Sequence, residues 1–174
     1  STVIVHKEGL NQAYIATGFA GFQRPDNRYY PLSIYNQILG GGGFNTRLVS
    51  QVRSDAGLTY SIGSSVESNY LFQGTFNTSL FTKSESINHA IGLTQKIIKE
   101  TALEVLSVVE IEEKKKQLIE SLPSNFRTAK DIAFTYLQNE IDDRSATHFT
   151  DYPQRITAIT ADSIQSVAKE FFNT

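Results

Sequence analysis

The sequence predicts an α+β fold, on two observations of pattern and one of composition. Apolar and polar positions alternate in short stretches before Leu80, and helical periodicity dominates after it. Strands gathered early and helices late do not suit an alternating parallel α/β sheet. A chain of 174 residues that is 40% hydrophobic and 20% charged can bury one core, so a single domain over residues 1–174 is expected.

Taken in order, residues 2–7 predict a short strand, and Glu8-Gly9 a turn. A second strand follows at 12–19, with Ala13, Ile15, Thr17 and Phe19 on one face. Residues 27–39 turn helical. Pro31 suits a first turn, and Leu32, Tyr35, Ile38 and Leu39 make the apolar stripe. Gly40 is expected to stop this helix by taking a positive φ. After the run of Gly40, Gly41, Gly42 and Gly43, a second helix is expected over residues 44–53, with Leu48 and Val52 inward. Asp55-Ala56-Gly57 turns the chain into a strand in which Leu58, Tyr60, Ile62 and Ser64 share a face. Ser68-Asn69 predicts a hairpin turn into a returning strand at 70–80. The later stretch predicts helices with inward stripes Ile87, Ile91, Thr94, Ile98, then Val108, Ile111, Leu118, Leu122, then Ala133, Tyr136, Leu137, Ile141. Pro123 ends the second of these. Thr160 caps the last helix, whose inward residues are Ile164, Val167, Ala168 and Phe171.

The net charge of −2 is spread with both signs mixed, unlike the basic face of a nucleic-acid binder, so no nucleic acid is expected as a partner. The basic run Lys114-Lys115-Lys116 follows Glu110, Glu112 and Glu113 and reads as a solvated helix face. No apolar run approaches the ~20 residues that span a bilayer, so no membrane span is expected. The absence of cysteine excludes disulfides and thiolate chemistry.

His6, His89 and His148 are far apart, and none has a histidine or glutamate partner at helical metal spacing. No metal is therefore expected in this chain. The glycine run lacks the Gly-Lys-Ser/Thr of a phosphate loop, since Phe44-Asn45-Thr46 follows it. It reads equally as a flexible helix connector or as a loop that meets a ligand. Because glycine loses much entropy on ordering, a mobile loop is expected. Alanine at Gly41 and Gly42 should then weaken ligand capture more than stability. Arg53 and Tyr60, at a helix end and on the next strand, can point into one cleft and donate to a carbonyl, but spacing alone favours a helix cap and a tyrosine half-buried in the sheet.

Two continuous stretches shift those alternatives. Leu39-Gly40-Gly41-Gly42-Gly43-Phe44-Asn45-Thr46-Arg47-Leu48 and Val52-Arg53-Ser54-Asp55-Ala56-Gly57-Leu58-Thr59-Tyr60-Ser61 resemble the second half of pitrilysin-family metallopeptidases, which include processing peptidases and insulin-degrading enzyme. The pattern there is a glycine pair, a small-x-Arg-Leu helix, then Arg, a few polar residues and Gly-Leu-x-Tyr. The tail around Asp151-Tyr152-Pro153-Gln154-Arg155-Ile156 and Ile159-Thr160-Ala161-Asp162-Ser163-Ile164 fits it as well. Phe44-Asn45-Thr46 departs from the smaller residues common in that loop.

The resemblance implies one pitrilysin-type half, with a mixed, largely antiparallel sheet and helices mainly on one face. It implies a partner: a homologous half that carries zinc through His-x-x-Glu-His, a motif absent here, fused upstream or separate. It also implies a peptide substrate. Gly40, Gly41, Gly42, Gly43, Arg53 and Tyr60 fall on its substrate-binding positions, with Arg53 and Tyr60 supporting the transition state and no catalytic residue in this chain. Beginning at Ser1, the chain is expected to be a piece of a longer two-half protein, inactive alone. The rival expectation is a non-proteolytic scaffold, since the family also includes core subunits of a respiratory complex.

Overall fold

The computed structural model describes residues 9, 11–23, 26–68 and 72–172. Three antiparallel strands form one sheet in the order β1-β3-β2: β1 Gln12–Ala20, β2 Ile62–Glu67 and β3 Thr75–Lys83. The registers Thr17↔Thr78 and Ser64↔Thr78 align the alternating faces across all three strands. Phe76, Thr78, Leu80 and Thr82 are buried on the helix side. The other face presents Tyr14, Ala16, Ser65, Asn77, Ser79 and Phe81, which are exposed or half-buried.

The helices are α1 Tyr29–Asn36, α2 Ile87–Leu103, α3 Val108–Ser121, α4 Ala129–Ile141, α5 His148–Ala158 and α6 Ala161–Phe172. α1 and α2 each pack on α6 and on the sheet. The core is the one the periodicity predicts for α1 and α6: Leu32, Tyr35, Ile38 and Leu39 have no exposure, and Ile164, Val167, Ala168 and Phe171 are buried. Phe19, Phe76, Phe171 and Phe172 meet in an aromatic cluster that joins the sheet to α6, with Phe76 and Phe172 at 4.9 Å. Thr160 caps α6 as expected, its Oγ1 accepting from the Ser163 N–H at 3.2 Å. The fold is therefore α+β, with the helices on one face of an antiparallel sheet.

Several expectations are corrected. The second helix begins at Arg47, after the exposed Phe44, and ends at Asp55. β2 starts at Ile62, so Leu58 and Tyr60 precede the ladder and its alternation does not govern them; Thr59 is buried and Tyr60 is 80% exposed. β3 starts at Thr75, and Phe72 is exposed. The strand expected at residues 2–7 lies outside the described residues, as does part of the expected turn at Ser68 and Asn69. In α2 the deepest positions are Ala90, Thr94, Ile97 and Thr101, with Ile98 only half-buried. In α3, Val108 is exposed while Lys114 and Lys115 are buried. Only Lys116 of the basic run is on a solvated face, 3.8 Å from Glu120; the Lys115 ammonium is held by Glu112 at 2.8 Å and by the Thr157 carbonyl at 3.3 Å. In α4 the stripe Ala133, Tyr136, Leu137, Ile141 is exposed, not inward.

Candidate functional site

The glycine run is the continuation of a helix rather than a loop that begins at Gly40. α1 widens into a π-helical turn over Gln37–Gly41, and Gly43, at φ +83°, is the residue that takes the left-handed conformation. The preceding glycines are required by contact. A Cβ on Gly40 would fall 2.5 Å from Ser64 Oγ and 2.9 Å from its backbone nitrogen. One on Gly41 would collide with Asn36 Nδ2, and one on Gly42 with the Gln37 carbonyl oxygen. This reverses the expected effect of alanine at Gly41 and Gly42, which must disturb packing first.

Buried polar groups seat this turn. Asn36 donates to the Ser64 carbonyl at 3.3 Å and accepts from Ser64 Oγ at 2.6 Å, tying the end of α1 to β2. Lys114 reaches up from α3, its Nζ donating to the Asn45 carbonyl and to Gln117 Oε1, each at 3.3 Å. A Cβ on Gly42 would stand 2.9 Å from that same ammonium. Arg47 donates to Glu104 Oε1 at 2.7 Å and to Glu110 Oε2 at 2.9 Å. Burial works against its charge, but the two carboxylates prevail and raise its pKa above the ordinary arginine value. Lys114, Asn36 and the role of Arg47 were missed from sequence. The signal in hand was the lysine at mid-helix in a run whose neighbours are apolar at i−3 and i+4, Ile111 and Leu118.

Arg53 lies in the last turn of the π-helical segment Val49–Asp55 and is exposed. Its guanidinium carbon sits 5.2 Å from the centroid of the Phe44 ring, a cation–π distance. Phe44, the residue that departs from the family's loop pattern, thus brings the tip of the glycine turn to Arg53. Tyr60 is tied to the same corner through the backbone. The Leu58 N–H donates to the Val52 carbonyl at 3.0 Å across the Gly57 turn, so Arg53 follows one end of that bond and Tyr60 the other. Tyr60 also borders a cavity of about 270 Å³ with Phe81, Thr82 and Lys83. Among the described residues, no carboxylate pairs with Arg53 and no group hydrogen-bonds the Tyr60 hydroxyl. Neither residue is a helix cap or a core tyrosine. Both present free donors to solvent.

Among the described residues no three His, Asp or Glu side chains are grouped to hold a metal. His89 is exposed on α2, and His148 is buried beside Phe149 with Arg144 Nη1 3.4 Å from its Nε2. A guanidinium against the imidazole disfavours a bound cation. His6 lies outside the described residues. Among the described residues no helix is long and apolar enough to cross a membrane.

Comparison with known proteins shows the family. Residues 1–118 match the family described as "Peptidase M16 inactive domain". The zinc protease YmxG of Bacillus subtilis, itself uncharacterized, is 24% identical over 176 aligned positions, covering 97% of this chain. The chain spans only 41% of that relative's length. Among solved structures, a peptidase M16 inactive domain from Pseudomonas fluorescens superposes with a TM-score of 0.81 at 26% identity, over 92% of this chain and 38% of that one. A chain of complex III2 from Candida albicans shares the fold with a TM-score of 0.78 at 14% identity, over 94% of this chain and 41% of that one.

Proposed function

We propose, from the premise that the chain belongs to the peptidase M16 inactive-domain family, that it is the substrate-binding, non-catalytic half of a zinc-dependent endopeptidase. The observation that supports this most is the corner formed by the glycine turn, Phe44, Arg53 and Tyr60. It offers a forked cationic donor, lying against the Phe44 ring, and a phenol donor, both exposed and neither hydrogen-bonded nor paired with a carboxylate among the described residues, while Lys114 and Asn36 hold the adjacent glycine turn. Such donors suit a peptide backbone, whose carbonyls accept hydrogen bonds and whose negative character grows as a peptide bond is attacked. The exposed Phe44 ring adds an apolar contact beside them. The zinc named for YmxG has no seat among the described residues here, so it would belong to a partner half.

The test is the pair Arg53→Ala and Tyr60→Phe in the full-length protein with its zinc-bearing half. Each is expected to lower kcat/KM by about 10²–10³, as for loss of one preorganised donor. Thermal unfolding should move little, because neither side chain is buried. The double variant should lose less than the product of the two if they act as one unit. Full activity in both variants would refute the site and favour a non-proteolytic scaffold of the same fold.

A further inference from the structure

The residues that border the 270 Å³ cavity with Tyr60 come from two separate stretches of chain. Gly57, Leu58 and Thr59 lead into Tyr60 on one side; Phe81 and Lys83 close β3 on the other, with Glu85 just beyond. Hydrogen bonds lock the two sides together. Thr59 Oγ1 donates to the Phe81 carbonyl and accepts from the Ser61 N–H at 3.1 Å. Thr82 Oγ1 donates to the Leu58 carbonyl at 2.7 Å, and the Phe81 N–H donates to the Ser61 carbonyl at 3.2 Å. The cavity is therefore shaped before any ligand arrives, and binding carries little ordering cost. The same bonds engage both threonine hydroxyls and the carbonyls of Leu58 and Phe81. What the walls chiefly offer an occupant is the apolar surface of Leu58, Tyr60 and Phe81. Tyr14, opposite Phe81 in the β1–β3 register, packs on it at 4.8 Å between ring centroids and carries that surface onto the open face of the sheet. Lys83 and Glu85 stand at the edge, both strongly exposed, with Nζ and Oε1 4.0 Å apart, so their charges offset each other there.

Resting on the function proposed above, we propose that this cavity is a specificity subsite that takes one large uncharged side chain of the peptide, aromatic or long aliphatic. Three observations choose that occupant. The volume falls below the ~300–1,000 Å³ of pockets that enclose a whole small molecule, so it suits one side chain of a larger substrate. The walls have their polar groups engaged with each other, and a charged side chain entering them would lose its water without gaining a partner. The balanced pair Lys83 and Glu85 at the edge gives no preference to either sign. Tyr60 joins the subsite to the chemistry. The same residue presents its exposed hydroxyl to a substrate carbonyl and borders the cavity, and neighbouring residues of an extended peptide lie only ~3.3–3.6 Å apart. A peptide held by the Tyr60 hydroxyl therefore has side chains within reach of the cavity without turning back on itself.

The experiment incubates the full-length protein with a peptide library prepared from a digested proteome and reads the cleaved bonds by mass spectrometry. Wild type is compared with Phe81→Ala and Glu85→Lys. Both side chains are exposed, so the unfolding midpoints should hold. Wild type is expected to favour Phe, Tyr, Leu or Met over Ala by at least about tenfold at one position near the cleaved bond, the return on burying such a side chain. Phe81→Ala should cut that preference at least about threefold, at that position and no other. Glu85→Lys leaves two cations at the edge and should admit Asp and Glu at the same position. Two changes on separate residues act on one substrate position only if they line one subsite. Wild type without a large apolar preference, variants that alter different positions, or an unchanged profile in Phe81→Ala would overturn the proposal. The two readings fail distinguishably. A full-length protein that cleaves no peptide brings down the function proposed above and the subsite with it. One that cleaves, with profiles the two variants leave unmoved, removes the subsite alone.

Discussion

Replacing Gly42 by alanine should unfold the glycine turn before it changes any binding. The new Cβ would collide with the Gln37 carbonyl oxygen, lie 3.2 Å from the Gln37 carbonyl carbon and 2.9 Å from Lys114 Nζ. The carbonyl belongs to the π-helical turn and has no rotamer to adopt, so relief means opening that turn. Overpacking of this kind costs ~1–3 kcal/mol. Displacing the Lys114 ammonium from its acceptors at Asn45 and Gln117 strands a buried donor, at ~1–3 kcal/mol more. For a chain of this length about 1 kcal/mol moves the unfolding midpoint by ~2–4 °C, so a fall of at least about 4 °C is expected. Gly43→Ala is the internal control. It has open space around its Cβ but a φ of +83°, and the left-handed conformation costs an alanine ~1–2 kcal/mol. Gly43→Asn should recover part of that, because asparagine tolerates the conformation better. Thermal unfolding followed by far-UV circular dichroism ranks the three. A midpoint for Gly42→Ala within about 1 °C of the wild type, or above that of Gly43→Ala, would refute the steric reasoning.

Two further predictions concern buried groups. If the proposed function holds, Lys114→Met in the full-length protein should raise KM for peptide about fivefold, the equivalent of one hydrogen bond of ~1 kcal/mol to the glycine turn, while the unfolding midpoint holds or rises because a buried charge is removed; an unchanged KM would remove Lys114 from the site. Burial, with the Glu104 charge behind it, raises the Tyr35 phenol well above its ordinary value of 10.0. A raised phenol contributes stability that is complete below the unfolded-state value and is lost as pH climbs through and beyond it. Stability should therefore decline above about pH 10, and Tyr35→Phe should flatten that decline. The substitution should also do little harm at neutral pH, since the hydroxyl makes only a long 3.5 Å bond to the Ile98 carbonyl; an identical alkaline slope in Tyr35→Phe would count against it.

Periodicity and residue chemistry were enough for the fold class, for the apolar stripes of α1 and α6 and for the Thr160 cap. Each of these depends on spacing along one segment, and spacing is a property of the chain itself. The tertiary structure decided everything that depends on what stands opposite. Gly40, Gly41 and Gly42 were legible as a flexible run, but Ser64, Asn36 and Gln37 make them the only residues small enough for their places. Lys114 and Lys115 looked solvated because neighbouring glutamates can pair with them on a free helix; the carbonyls of Asn45 and Thr157, distant in sequence, are what allow them to be buried. The stripe on α4 was read correctly as apolar and wrongly as inward. A hydrophobic pattern states that a face must be covered, and only the packing of the whole domain shows that nothing within the described residues covers this one.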